Sequence, residues 1–446
     1  MITTWHIRLT AISLVAALLA CCAAPSAAET QGPFVFEDGD RVVLLGGTFV
    51  EREVQQGYLE TALTSALPEL NLTFRNLGWS GDTVWADSRG IFDAPQVGYQ
   101  RLLELVRELK PTVVFLAYGA NESYAGEAGL ASFIKQYEKL LDDLDKVSLE
   151  VQAPREFRYV FLTPHQLETP APPLPDASRH NPTLGLYAAA IRELAERRGG
   201  RLVDLYDRTA QVTLTPENPA AESNTSVEAP RGFRKVKGVW KSLPLTDNGI
   251  HLSAYGSLRV ARMIVHSLKL PKAEFLMQLD SDGNVESDLQ ATSSDFKSDG
   301  KAATFQMKLA RLPEPPTPLF PGDVEYFMVA GGGLPMGSYA LKIDGLKAAV
   351  NPTPIVGFPV RTGADYLQAE ELRKAIIAKN LLFFHRWRPQ NITYLTGFRK
   401  HEQGNNAVEI AQFDPLVAKA ETEIVTLRQS VTRTYEIVPY EKDANE

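Results

Sequence analysis

Five short apolar runs alternate with helix-like segments over residues 41–206, and this alternation constrains the fold more than any other feature. The runs are residues 41–48, 72–76, 112–118, 158–162 and 201–206. Strands that alternate with helices form a parallel sheet covered on both faces, and right-handed crossovers make this a three-layer sandwich. The sequence therefore predicts an α/β/α domain with a five-stranded, flavodoxin-like parallel sheet over residues 36–271.

The composition changes after residue 272. Residues 302–309 and 339–343 are typical of strands, and residues 367–381 and 412–428 have helical spacing. Residues 272–446 are therefore predicted to form a β-rich segment followed by a helical pair. The sequence leaves open whether this part is separate or packs back on the sandwich.

Residues 1–28 are typical of a bacterial export signal. Arg8 supplies the positive charge, residues 11–20 are largely apolar, and residues 26–28 are small, as a cleavage site requires. An alternative is a lipobox with Cys21 as the lipid-modified residue, which would give the only membrane attachment. We expect an exported protein, periplasmic or extracellular. Both cysteines of the chain lie in this segment, so the cleaved protein would have no disulfide and no thiolate metal site.

The charge argues against nucleic acid as a partner, since the net charge is −8 at pH 7 and the pI is about 5.6. The sequence contains no phosphate-binding loop, dinucleotide motif or metal-ligand spacing. We therefore expect no cofactor and no metal.

Four polar or glycine-rich segments follow predicted strands or precede the last helix of the sandwich. They are Gly46-Gly47-Thr48, Asn76 to Asp82, Gly119 to Glu122, and Asp247 to His251. Each is a weak signal alone, because such residues are common in turns and helix caps. Together they predict a site at one edge of the sheet, where ligands bind in α/β folds.

The order of these segments resembles that of the SGNH, or GDSL-type, hydrolases, in a variant found in exported proteins of planctomycete-type bacteria. The resemblance covers residues 41–270. It implies that Thr48 takes the place of the nucleophilic serine and that His251 is the base. It also implies that the Gly81 amide and the Asn121 side chain bind the oxyanion.

Two departures from the family pattern stand out. Gly46-Gly47-Thr48 replaces Gly-Asp-Ser, and threonine adds a methyl group that restricts χ1. The family's aspartate three residues before the histidine is Asn248 here, with Asp247 one residue earlier. Either residue could orient His251, or the site could work as a dyad.

Several alternatives stay open. The Thr48 hydroxyl could cap the next helix, Ser80 is a second candidate nucleophile, and Gly78 could share the oxyanion role. Aromatic residues near the site suit sugar rings but also suit ordinary packing: Trp79, Trp85, Tyr118, Tyr124 and Tyr255. Residues 383–391 could form a pocket wall, a glycan-contacting surface or a packing segment.

The first functional hypothesis is an exported esterase that removes O-acetyl or other short acyl groups from carbohydrate, so its partner would be a small-molecule or polysaccharide ester. The alternative is a glycan-binding or scaffold protein that kept the fold with weak or no catalysis.

Overall fold

The structure, a computed structural model, describes most of the chain after residue 30. The described residues are 31–151, 156–210, 233–236, 239–272, 275–279, 285–287, 291–317, 327–331, 334–353, 358–390, 401 and 407–441. The predicted export signal lies outside them.

A five-stranded parallel sheet forms the centre of the first domain, as the alternation predicted. Its strands are β1 (Arg41–Gly46), β2 (Thr73–Asn76), β3 (Val113–Ala117), β4 (Arg158–Leu162) and β5 (Arg201–Val203). Their order is β2-β1-β3-β4-β5, and all pairs are parallel. This is the flavodoxin-like order, which places the strands' carboxyl ends at one edge.

Helices cover both faces of this sheet. They are α1 (Thr48–Gln56), α2 (Tyr58–Ala66), α3 (Pro95–Leu109), α4 (Gly126–Glu150), α5 (Asn181–Arg197), α6 (Leu205–Ala210) and α7 (Ala254–Ser267). Successive side chains of β1 alternate between two cores. Val43 and Leu45 pack with residues of α3, α4 and α5, whereas Val42 and Leu44 pack with residues of α2 and α7. The apolar strand is therefore buried on both faces, which gives the predicted three layers.

Two further sheets form in the later part of the chain, and a separate hairpin precedes them. The hairpin consists of the antiparallel strands β6 (Phe233–Val236) and β7 (Val239–Ser242). One later sheet has four strands: β8 (Phe275–Leu279), β9 (Val285–Ser287), β12 (Phe327–Gly331) and β15 (Phe358–Pro359). The other has five antiparallel strands: β10 (Ala291–Ser298), β11 (Ala303–Leu309), β13 (Tyr339–Ile343), β14 (Leu346–Asn351) and β16 (Arg433–Pro439).

The helical pair is not the last element of this region. It consists of α8 (Ala364–Trp387) and α10 (Phe413–Leu427), with the short α9 (Ala407–Ile410) between them. Strand β16 then returns to pair with both β11 and β13 in the five-stranded sheet. The sequence reading did not anticipate this strand, because a single alternating segment at a distance from its partners carries little signal.

Helix α8 packs against the sandwich. Phe383 and Trp387 belong to the same buried cluster as residues of α3 and α4. The buried Lys379 ammonium lies 2.7 Å from a carboxylate oxygen of Glu60 on α2. Phe383 and Trp387, from the segment 383–391 singled out in the sequence, thus pack against the sandwich. No helix of the described residues is long and apolar enough to cross a membrane.

Candidate active site

Residues from all four polar segments meet beside one cavity at the carboxyl edge of the parallel sheet. The lining includes Gly47, Thr48, Asp82, Asn121 and His251, and the cavity volume is about 170 Å³. A larger cavity of about 210 Å³ lies between α2, α7 and residues 312–315, and none of the predicted site residues lines it. The smaller cavity is therefore the candidate active site.

Thr48 is the first residue of α1 and its hydroxyl does not cap that helix. Gly47 occupies the capping position, and no side chain makes a cap hydrogen bond there. The Thr48 hydroxyl instead accepts the backbone N–H of Gly81, with 3.2 Å between nitrogen and oxygen. Among the described residues, no hydrogen bond joins Thr48 to His251, although both line the same cavity.

Residues 77–82, the oxyanion loop, place the Gly81 amide next to this hydroxyl. Gly81 has a φ of 77°, a backbone conformation that favours glycine. The amide of Gly78 is already used, because it donates to Asn76 Oδ1 at 2.8 Å. Gly78 therefore offers no oxyanion donor, and Gly81 is the glycine of this loop whose amide meets the nucleophile position.

Asn121 lies beside Gly47, the residue that precedes Thr48. Its Nδ2 donates to the carbonyl oxygen of Asp82 at 2.8 Å, and a Cβ at Gly47 would lie 3.0 Å from that nitrogen. The absence of a side chain at Gly47 thus lets the Asn121 amide approach the start of α1. The Gly81 amide binds the Thr48 hydroxyl, and the Asn121 side-chain amide lies next to the preceding residue, Gly47. Two candidate oxyanion donors are therefore placed near the start of α1.

Asn248, and not Asp247, contacts the ring of His251. Asn248 Oδ1 accepts the backbone N–H groups of Ile250 at 3.1 Å and His251 at 2.8 Å. These two donors fix the amide, so Nδ2 faces His251 Nδ1 at 3.0 Å and donates to it. The Asp247 carboxylate is 60 % exposed and lies 3.8 Å from Arg52.

This contact determines the tautomer of His251. A ring nitrogen that accepts a hydrogen bond carries no proton, so the proton of the neutral ring lies on Nε2. A general base for Thr48 needs the opposite tautomer, with a free lone pair on Nε2. Burial, together with the nearby Arg52 guanidinium, lowers the pKa of His251, and Asp247 partly offsets this. The site therefore holds a neutral histidine in the less reactive tautomer.

The family described as GDSL-like lipase/acylhydrolase matches residues 44–258, which contain all four segments. We refer to residues 44–258 as the GDSL domain. No curated protein matches the chain.

Solved structures show how far the similarity of fold extends. A gut microbial diltiazem-metabolizing enzyme covers 93 % of this chain and 100 % of its own, with a TM-score of 0.65 and 15 % identity. The acetylxylan esterase Axe2 from Geobacillus stearothermophilus covers 52 % of this chain and 95 % of its own, with a TM-score of 0.34 and 19 % identity. The α/β hydrolase LAE5 from the metagenome of Lake Arreo, Spain, covers 53 % and 98 %, with a TM-score of 0.34 and 24 % identity. The first of these shares the fold of nearly the whole chain, beyond the GDSL domain.

The GDSL domain also brings polar residues to the cavity that the sequence reading missed. His165 follows β4 and donates its Nδ1–H to the carbonyl oxygen of Gln166 at 2.9 Å, and burial lowers its pKa. Arg52 lines the cavity from α1, and the buried Glu122 also lines it. His165 could have been found from its position, since it follows a strand whose carboxyl end is at the same edge.

Burial raises the pKa of Glu122 to about 7. Its two carboxylate oxygens accept the backbone N–H groups of Val84 at 2.9 Å and Gly119 at 2.8 Å. These bonds hold the loop after β3 against the segment that follows the oxyanion loop. Glu122 thus supports the position of its neighbour Asn121.

The aromatic residues divide into two groups. Tyr118 and Tyr124 line the cavity, and Tyr124 is 63 % exposed. Tyr124 stacks on His180, with ring centroids 4.3 Å apart and planes inclined by 6°. The remaining three aromatic candidates pack within the two cores and do not line the cavity: Trp79, Trp85 and Tyr255.

Proposed function

We propose that the GDSL domain is a slow ester hydrolase that removes acetyl or other short acyl groups from carbohydrate. The observation that carries the proposal is the hydrogen bond from the Gly81 amide to the Thr48 hydroxyl, with the Asn121 side chain beside the preceding residue, Gly47. A hydroxyl at the start of a helix, with two candidate oxyanion donors nearby and a histidine in the same cavity, suits acyl transfer.

The reaction would pass through an ester on Thr48. Its Oγ1 would attack the carbonyl carbon while its proton moves to His251 Nε2, and the oxyanion would accept bonds from Gly81 and Asn121. The carbon–oxygen bond to the leaving alcohol then breaks, and the alcohol takes the proton from the histidine. A water molecule repeats the sequence and releases the acid.

The resting tautomer makes the first step slow. Nε2 can accept the proton only after the ring proton has moved to Nδ1, and Asn248 must then present its oxygen there. That rotation breaks the hydrogen bonds from two backbone N–H groups, each worth about 1 kcal/mol. We therefore expect turnover well below that of a site with an aspartate at this position.

The small cavity and its rim support the substrate class. A volume of about 170 Å³ suits a short acyl group better than a long one. The exposed face of Tyr124 beside the cavity offers a flat apolar surface for a sugar ring. Because residues 1–28 are typical of an export signal, we propose that this reaction takes place outside the cytoplasm. N-terminal sequencing of the expressed protein would distinguish cleavage after Ala28 from lipidation at Cys21.

The second candidate function is glycan binding without catalysis. The hydrogen bond that Asn248 Nδ2 donates to His251 Nδ1 favours this candidate, because it keeps the ring proton on Nε2 and so opposes proton uptake there. The Tyr124 surface would serve such a binding protein equally well.

Acetate release and active-site labelling test the proposal. Wild type should release acetate from acetylated polysaccharide and from 4-nitrophenyl acetate, and should react with a fluorophosphonate probe. Thr48→Ala should lose both properties, whereas the control Ser80→Ala should keep them, because Ser80 does not line the cavity. Wild type that neither reacts nor releases acetate but binds the polysaccharide would establish the second candidate. Labelling that persists in Thr48→Ala would refute Thr48 as the nucleophile.

A further inference from the structure

The carboxyl end of α8 reaches the oxyanion loop through one carboxylate. Arg388 Nη1 lies 2.9 Å from Glu51 Oε2 on α1. The same oxygen accepts the backbone N–H of Ser80 in the loop. The Arg388 guanidinium carbon also lies 3.6 Å from the centre of the Trp79 ring. Glu51 thus joins three separate parts of the chain: α1, the oxyanion loop and α8.

This junction holds the two groups whose separation matters for catalysis. Ser80 immediately precedes Gly81, so the bond from the Ser80 amide fixes the peptide that leads to the oxyanion donor. Glu51 lies three residues after Thr48, in the same helical turn. The Glu51 carboxylate therefore links α1 to the oxyanion loop and fixes the position of the Gly81 amide relative to the Thr48 hydroxyl.

Arg388 holds this carboxylate in place. Both side chains of the pair are only 24 % exposed, and the guanidinium also contacts the faces of Trp79 and Phe384. A guanidinium that is already held against aromatic rings loses little conformational freedom when it binds a carboxylate. Without it, the Glu51 carboxylate would be free to turn towards solvent, and Ser80 and Gly81, which are themselves exposed, would lose this anchor.

We infer that Arg388 is a positioning residue for the oxyanion loop, so that the C-terminal part of the chain completes the active site of the GDSL domain. The inference rests on the proposed esterase function. It assigns a catalytic purpose to the docking of α8, in addition to its contribution to stability.

Kinetics of two matched variants of the full chain test this inference. Arg388→Met should lower kcat for 4-nitrophenyl acetate about tenfold and leave KM within about twofold, because misplaced groups affect the transition state most. Arg388→Lys should recover part of the loss, since it restores a charge beside Glu51. The control is Arg386→Met on the same helix end. Arg386 pairs with Glu108 at 2.8 Å and Asp414 at 2.9 Å, away from the loop, so kcat should stay near wild type.

Amide hydrogen exchange separates this inference from the proposed function. Exchange of the Ser80 amide should be faster in Arg388→Met than in wild type or Arg386→Met, whether or not the protein turns over a substrate. Wild type without turnover would refute the esterase, and faster exchange confined to Arg388→Met would still support the positioning role. Equal kcat and equal exchange in the two variants would overturn the inference.

Discussion

Replacing Asn248 with aspartate should make the GDSL domain a faster esterase. One carboxylate oxygen of Asn248→Asp can keep the two backbone N–H groups that now bind Oδ1, at 3.1 and 2.8 Å. The other oxygen then takes the place of Nδ2, 3.0 Å from His251 Nδ1. Because a carboxylate only accepts, Nδ1 must carry the ring proton, and the lone pair of Nε2 becomes available to Thr48.

The size of the effect follows from this geometry. A carboxylate about 4 Å from an imidazolium stabilises it by about 4 kcal/mol at an effective dielectric constant of 20. The ring is partly open to solvent and Arg52 is nearby, so we take about 3 kcal/mol, which is roughly 100-fold in kcat. The reverse change in a serine-protease triad lowers kcat by about 10⁴-fold, which sets an upper limit.

The assay is the pH dependence of kcat with 4-nitrophenyl acetate, combined with nitrogen NMR of the histidine rings. In wild type the His251 proton should lie on Nε2, and in Asn248→Asp on Nδ1. In both proteins kcat should rise with pH as His251 loses its proton, because the base acts when deprotonated. In Asn248→Asp this rise should occur at a higher pH than in wild type, since the carboxylate raises the pKa of His251.

A matched control separates the two neighbouring positions. Asp247→Asn should change kcat by less than twofold, because the Asp247 carboxylate is exposed and pairs with Arg52. A folded Asn248→Asp protein whose kcat stays within threefold of wild type would refute the reasoning. An NMR result that places the ring proton of wild-type His251 on Nδ1 would also refute it.

Three further predictions concern stability. Gly78→Ala should lower the free energy of unfolding by more than 1 kcal/mol in urea titrations, because its Cβ would lie 2.3 Å from the backbone nitrogen of Glu51. Glu60→Ala should cost about 3–5 kcal/mol in the same assay, since it leaves Lys379 buried without its partner carboxylate; an unchanged midpoint would contradict this. Because burial raises the pKa of Glu122 from 4.5 to about 7, the folded state holds a proton that the unfolded state has lost. The free energy of unfolding should therefore fall by about 3 kcal/mol as the pH rises from 4.5 through 7. This fall should be absent in Glu122→Gln.

The sandwich and much of the site could be predicted from the sequence, because both follow from local patterns. Strands buried on two faces appear as continuous apolar runs, and parallel strands bring their carboxyl ends to one edge. Thr48, Asn121 and His251 are far apart in the sequence yet line one cavity for that reason. The Thr48 hydroxyl and the Gly81 amide are joined by a hydrogen bond that spans 33 residues.

The remaining features depend on contacts that no local pattern encodes. The pairing of Arg388 with Glu51 joins residues 337 positions apart. The choice between Asp247 and Asn248 depends on which side chain accepts the turn's own N–H groups, and that turn geometry cannot be read from composition. His165 carries no motif, and only its place after β4 brings it to the cavity.

Strand β16 lies in the middle of the five-stranded antiparallel sheet, so the stability of that sheet depends on a late part of the chain. It lies between β11 and β13, and Arg433 at its start binds Asp365 on α8 at 3.0 Å. A polypeptide that stopped before residue 433 would leave β11 and β13 with facing rows of unpaired backbone groups, which invite aggregation and proteolysis. Because Arg433 also binds α8, the helix whose end contacts the oxyanion loop depends on this strand as well.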